Sequence, residues 1–78
     1  MSNKIRWQCR RGMLELDFIF QRFFETRYSA LSLQQQNAFE QLLKQDDPIL
    51  FDWLITGVPC PDVALQEMVD MIGRRPMV

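Results

Sequence analysis

A chain of 78 residues suffices for one domain, and its 47% hydrophobic content can form a core without disulfides. It has no histidine and two distant cysteines, Cys9 and Cys60, which argues against a zinc site and a secreted disulfide framework. The sequence has no signal-peptide pattern, and no apolar run approaches the roughly 18 residues of a membrane span. We therefore expect a cytoplasmic protein without membrane insertion.

The net charge of −1 conceals an uneven distribution. Residues 1–28 carry six basic and three acidic side chains, whereas residues 29–78 carry three basic and seven acidic ones. This asymmetry fits either two solvated faces of opposite sign or a basic amino-terminal docking face. Because the whole domain is slightly acidic, it lacks the electrostatic footprint of a nucleic-acid-binding protein.

Helical periodicity starts near the amino terminus, where residues 3–10 predict a short first helix. Gly12 then predicts a bend or a close backbone approach. Apolar residues at i, i+3, i+4, i+7 and i+8 predict a second helix over residues 13–26, with one buried stripe. The stripe consists of Leu16, Ile19, Phe20, Phe23 and Phe24. Leu14 and Phe18 lie on another side, where they either meet another helix or remain partly exposed.

Local capping signals predict where the next two helices begin. Ser32 and Gln35 have the spacing of a capping box, which begins a third helix reaching Lys44. Asp47 followed by Pro48 predicts an N-cap and a first-turn proline for a fourth helix. The third helix should bury Phe39, Leu42 and Leu43, and the fourth should bury Leu50, Trp53 and Leu54.

The fourth helix should end near Gly57, because the prolines at 59 and 61 cannot continue it. Asp62, or the residue before Pro61, caps a fifth helix that ends at Gly73. Its apolar stripe is Leu65, Met68, Val69 and Ile72. With short connections and no convincing alternating strand, residues 1–78 predict a single all-α domain, a compact bundle of about five short helices.

Candidates for catalysis are scarce, so we expect no enzyme. The commonest general base, histidine, is missing, and no serine or cysteine has an evident base partner. Glu15 and Asp17 are two residues apart and would point to different sides of a helix. Asp46, Asp47 and Asp52 lack the spacing of an EF-hand loop, and helix capping is the simpler interpretation of Asp47.

The most informative segment is residues 9–17, CRRGMLELD, which joins a basic cluster, a glycine and two carboxylates. On a helix, Arg11 and Glu15 would share a face, and Gly12 between them would let another backbone approach closely. Taken alone, such a pair is usually a solvated surface pair worth about 0.3–0.5 kcal/mol. Trp7 beside the arginines is either a binding hot spot or ordinary packing.

Residues 7–17, WQCRRGMLELD, resemble the R-G-x-x-E signature region of the SdhE (YgfY) family of succinate dehydrogenase and FAD assembly factors. Residues 42–54, LLKQDDPILFDWL, resemble the second block of that family, in which leucines precede an acidic pair and Leu-x-x-Trp-Leu follows. The two blocks occur at the right distance in a chain of this length. The similarity covers nearly the whole sequence.

This resemblance implies a five-helix, chaperone-like assembly factor. Such a protein binds the flavoprotein subunit of succinate dehydrogenase, and in some bacteria of fumarate reductase, and promotes covalent attachment of FAD to it. FAD is attached to the client, so the resemblance implies no stably bound cofactor on this chain. The partner-binding residues predicted from the motif and its neighbours are Trp7, Arg10, Arg11, Gly12, Glu15 and Asp17.

Two other classes of function remain open at this point. Some members of the family have been labelled antitoxins, an interpretation that predicts a toxin partner instead of a flavoprotein. A nucleic-acid-binding module using Arg6, Arg10 and Arg11 would predict strongly salt-dependent binding. For the isolated chain, a monomer that forms a heterodimer with its client is the simplest expectation.

Overall fold

The computed structural model describes residues 3–73, which form helices joined by short connections and contain no strand, so the prediction of an all-α bundle is confirmed. A 3₁₀ turn, Tyr28–Ala30, follows the second helix, and a π-helical turn, Asp52–Thr56, follows the fourth. No helix among these residues is long and apolar enough to cross a bilayer. The five helices are α1 (Asn3–Gln8), α2 (Leu14–Arg27), α3 (Leu33–Leu43), α4 (Asp47–Phe51) and α5 (Val63–Gly73).

Helix α2 presents its predicted stripe to the core. Leu16, Phe20 and Phe23 are buried, and the other two members of the stripe are partly buried. On the opposite side, Leu14 and Phe18 are 80% and 64% exposed, so they belong to the solvent face of this helix. The burial of one stripe on α2 follows from its helical spacing.

An aromatic cluster joins α2 to α3 at the centre of the core. Phe39 on α3 is fully buried and contacts Phe20, Phe23 and Tyr28, with ring centroids 6.0, 5.4 and 5.4 Å away. Helix α3 also packs against α5, whose buried residues follow the predicted stripe. These contacts hold three helices around one core.

Two of the predicted helix starts are confirmed by their hydrogen bonds. The Ser32 hydroxyl accepts from the Gln35 amide at 3.1 Å, and the Ser32 amide donates to the Gln35 side chain at 2.9 Å. Asp62 accepts from the amide of Leu65 at 3.0 Å and thereby caps α5. Each cap satisfies amides that the first helical turn leaves without an intrahelical acceptor.

The start of α4 differs from the prediction. Asp46, not Asp47, occupies the N-cap position, and Asp47 is the first helical residue. The predicted N-cap role of Asp47 is therefore wrong, because its side chain is engaged elsewhere. The predicted end of this segment is confirmed, since the π-helical turn stops at Gly57, whose φ of +90° favours glycine. Leu50 is fully buried, as expected.

Two smaller differences concern α1 and the π-helical turn. Helix α1 ends at Gln8, two residues earlier than predicted, because the chain then turns into the connection that leads to α2. Trp53 and Leu54 lie in the π-helical turn and are only partly buried, whereas the sequence predicted them as core.

Candidate functional site

The connection between α1 and α2 carries most of the signature segment. We call residues 10–13 the motif loop. The Asp47 carboxylate, reaching from the first turn of α4, holds this loop through three hydrogen bonds. Its Oδ1 accepts from Arg11 Nε at 2.8 Å, and its Oδ2 accepts from the amides of Gly12 and Met13 at 3.1 and 3.4 Å. One side chain thus binds a guanidinium and two successive backbone amides.

The Arg11 side chain is used inside the protein. Its Nη1 donates to the carbonyl oxygens of Gln8 and Leu43, both at 2.9 Å, and its Nη2 donates to that of Gln45 at 2.8 Å. The guanidinium carbon lies 5.9 Å from the centre of the Phe20 ring, and the side chain is only 12% exposed. Arg11 therefore fastens the motif loop to the carboxyl ends of α1 and α3.

The expected pairing of Arg11 with Glu15 is replaced by the ion pair with Asp47. Arg11 precedes α2, whose N-cap is Met13 with an extended backbone, so the i, i+4 geometry of a helix does not apply to it. Glu15 lies in the first turn of α2 and is exposed. Arg11 is consequently directed into the protein, whereas Glu15 faces the solvent.

Asp17 is the second carboxylate that holds the motif loop. Its Oδ1 accepts from the Arg11 amide at 2.9 Å and lies 3.7 Å from Arg10 Nε. The hydrogen bond from the Arg11 amide holds the pKa of Asp17 below its usual value. The pKa of Asp47 is likewise lowered, first by its hydrogen bond from the Arg11 side chain. Both carboxylates therefore stay ionised at neutral pH.

Gly12 is exposed, and the fold itself does not require a glycine there. Among the described residues, only Gly57 has a positive φ. A Cβ added at Gly12 would lie 3.5 Å from Asp47 Oδ2, an ordinary van der Waals distance. Because neither backbone strain nor crowding explains the missing side chain, the bare backbone fits an approach from outside the molecule.

Helices α1 and α2, which precede and follow the motif loop in the sequence, both carry exposed side chains. Trp7 on α1 is 68% exposed, so it is not packed into the bundle. Arg10 and Glu15 are also exposed. On α2, Leu14 and Phe18 add two exposed apolar side chains one helical turn apart. Exposed Trp and Arg side chains of this kind are enriched among the residues that dominate binding energies.

The two cysteines do not form part of this exposed surface. Both are buried and free of disulfide bonds. Burial raises the pKa of Cys9 to about 11, so its thiol stays protonated at neutral pH. Among residues 3–73, no group of histidine, cysteine, aspartate or glutamate side chains is arranged to hold a metal ion.

The structure thus brings Arg10, Arg11, Gly12 and Asp17 together in and beside one loop, with Glu15 on the adjoining helical turn. Sequence reasoning missed Asp47. The available signal was its place in the acidic pair of the second block, which was interpreted as helix capping. A carboxylate that precedes a proline can either cap a helix or accept hydrogen bonds from a distant part of the chain.

This fold and site define a small all-α protein that presents a hydrogen-bonded loop beside exposed aromatic and charged side chains. Comparison with known proteins narrows the class. Residues 3–76 match the family model described as flavinator of succinate dehydrogenase, Sdh5, and the chain belongs to this family. The resemblance seen in the two sequence blocks is confirmed.

Individual relatives agree with the family match. The chain is 54% identical over 73 residues to the FAD assembly factor SdhE of Coxiella burnetii, covering 94% of this chain and 89% of that protein. It is 46% identical over 74 residues to the protein of the same name from Idiomarina loihiensis, covering 95% and 82%. The Vibrio cholerae protein is 45% identical over 69 residues, covering 88% and 80%.

Proposed function

We propose that this chain is an assembly factor that binds the flavoprotein subunit of succinate dehydrogenase and promotes covalent attachment of FAD to it. The family match and the shared name of the relatives support this function. The structural observation that supports it most directly is the exposed Gly12, which the fold does not require to be glycine. The antitoxin alternative receives no support from these relatives.

The residues of the predicted site divide into two roles in this proposal. Exposed Trp7, Arg10, Gly12 and Glu15 contact the client, with Gly12 allowing its backbone to come close. Arg11 supports the surface from within, since its guanidinium already donates four hydrogen bonds inside the protein. Asp17 likewise acts through the loop that it holds and through its proximity to the Arg10 side chain.

The factor supplies binding energy and no catalytic group. Flavin attachment can proceed from groups of the client once the flavin and the client residue are held in a reactive orientation. A factor that binds one client conformation more tightly than the others shifts the equilibrium toward that conformation, by at most the ratio of the two affinities. This role needs a surface of fixed shape, which the hydrogen-bonded motif loop provides.

The proposal places FAD on the client and no stable cofactor on this chain. It assigns the protein to the cytoplasm as a monomer that forms a heterodimer with its client. The flavoprotein subunit of fumarate reductase is a second proposed client, because the family resemblance implies it for some bacteria. Neither client interaction involves nucleic acid or insertion into a membrane.

The test is to express the succinate dehydrogenase flavoprotein subunit in cells lacking an endogenous assembly factor, with and without this chain. Covalent flavin is read as fluorescence of the denatured subunit in a gel. We expect a fluorescent band that depends on the wild-type chain and is lost with Gly12→Arg. A band of equal strength without the chain would exclude this function for this client.

The matched control is Ala30→Arg, which adds the same basic side chain at another exposed position. Ala30 follows α2, a helix of 14 residues, and so lies about 20 Å from the motif loop. This variant should support flavin attachment as well as the wild-type chain does. Equal loss with both variants would show that any added arginine disturbs the protein.

A further inference from the structure

The Asp47 carboxylate connects the motif loop to the start of α4, which lies 34 to 36 residues further along the sequence. Its own position is well fixed. The carbonyl of Asp46 accepts hydrogen bonds from the amides of Ile49 and Leu50 at 3.1 and 3.0 Å, which sets the first turn of α4. Leu50 is fully buried and anchors that turn in the core. The position of the carboxylate relative to the loop is therefore fixed by the first turn of α4.

Only an ionised carboxylate satisfies both sides of this contact. Oδ1 faces the Arg11 guanidinium, and Oδ2 faces the amides of Gly12 and Met13, so every neighbouring group is a donor. An asparagine at this position would offer one oxygen and one NH₂ group. Its NH₂ would then face donors on one of the two sides, whichever way the amide is turned.

We infer that Asp47 is a positioning residue for the proposed docking surface, which consists of the exposed residues Trp7, Arg10, Gly12 and Glu15. It fixes the conformation of residues 10–13 that the client flavoprotein recognises, and it does so without contacting the client. A loop that is already ordered loses less conformational entropy on binding than a loop that must become ordered. This inference rests on the proposed function, and it assigns a role in that function to a residue outside the signature segment.

The experiment measures the affinity of the full chain for the purified apo flavoprotein subunit by calorimetry. Asp47→Asn should weaken binding by roughly tenfold or more, because hydrogen bonds to a charged group are lost from the loop. The matched control is Asp46→Asn, which removes the neighbouring carboxylate, exposed and without a side-chain cap hydrogen bond. It should bind as the wild-type chain does.

A spectroscopic measurement on the isolated chain separates positioning from general stability. In ¹⁵N-labelled protein, Asp47→Asn should shift the amide resonances of Gly12 and Met13 while the core resonances stay in place. Tyr28→Phe serves as a stability control, since it removes the 3.0 Å hydrogen bond to Glu40 between other elements. This variant should lower the melting temperature and leave the affinity unchanged.

Each outcome has a defined meaning. If the wild-type chain binds the client and Asp47→Asn binds equally well, the inference is overturned and the proposed function stands. If the wild-type chain does not bind, both fail. Equal loss of affinity in Tyr28→Phe would also overturn the inference, since affinity would then follow stability. Should Asp47→Asn fail to fold, Asp47→Glu keeps the charge and moves the carboxylate away from the two amides, and the same comparison applies.

Discussion

At Gly12, the requirements of folding and of the proposed client binding can be separated experimentally. Its backbone lacks the positive φ that makes glycine necessary, and a Cβ would meet Asp47 Oδ2 at 3.5 Å without a clash. Replacing glycine by alanine at such a position reduces the conformational freedom of the unfolded chain. The isolated protein should therefore tolerate alanine at this position.

We predict that Gly12→Ala changes the free energy of unfolding by no more than about 1 kcal/mol. The same variant should bind the client flavoprotein roughly tenfold more weakly, because the added methyl group holds the approaching backbone away. Denaturant unfolding and calorimetry measure the two quantities. A stable alanine variant with wild-type affinity would show that no client backbone packs against Gly12.

Gly12→Ala is a sharper probe than Gly12→Arg. An arginine at this position would place a second guanidinium beside Asp47, where it would compete with Arg11 for the same carboxylate. Loss of activity in the arginine variant therefore combines a blocked surface with a disturbed loop. Comparing the two variants separates these causes.

The sequence singled out the residues of the candidate site but predicted the wrong partner for Arg11. Arg11, Gly12 and Glu15 stand out because their types and spacing are visible along the chain. The partner of Arg11 is not visible in this way, since Asp47 is 36 residues distant and the contact depends on how α4 lies against the motif loop. Local spacing instead favoured a pair with Glu15, which requires a helix that begins only after Arg11.

At the scale of the elements, the capping box of α3 is a local device that should affect stability alone. Ser32 and Gln35 exchange two hydrogen bonds at the start of the helix. The carbonyl of Leu43, which accepts from Arg11, lies at the other end of this 11-residue helix, about 15 Å away. A change at the start of α3 should therefore affect stability without affecting the proposed client binding.

Ser32→Ala should lower the free energy of unfolding by about 1 kcal/mol, the usual effect of losing an N-cap side chain. Affinity for the client should not change. Denaturant unfolding with Ser29→Ala as the control checks the first statement, since Ser29 lies in the 3₁₀ turn and is exposed. A weaker client complex for the Ser32 variant would mean that the start of α3 is coupled to the motif loop.

Structural features that depend on neighbouring residues were predictable from the sequence. Those that depend on tertiary contacts were not. The capping box, the Asp62 cap and the left-handed Gly57 are each determined by a few neighbouring residues. The π-helical turn Asp52–Thr56 packs against α5 and carries no local sequence signal of its own. Asp47 was assigned to capping for the same reason, because its long-range ligands are invisible in a local window.

At the scale of the whole molecule, the two carboxylates that hold the motif loop influence the pH range in which the fold is stable. Hydrogen bonds lower the pKa values of Asp47 and Asp17 in the folded protein. Their contribution to stability is therefore complete above the unfolded pKa of about 4 and is lost as the pH falls through the folded pKa. Burial raises the pKa of Cys9 to about 11, so its contribution is lost as the pH rises above its ordinary value of 9.0.

We predict a melting temperature that is highest between about pH 5 and pH 9 and falls on both sides. Asp47→Asn should lower the neutral plateau and flatten the acid limb, because the variant has no carboxylate to protonate at position 47. Cys9→Ala should flatten the alkaline limb and leave the acid limb unchanged. Differential scanning calorimetry from about pH 2 to pH 11 measures both limbs. Equally steep acid limbs in Asp47→Asn and Asp46→Asn would mean that the hydrogen bonds of Asp47 with Arg11 and the two amides do not stabilise the fold. The acid stability of the fold would then depend on carboxylates other than Asp47.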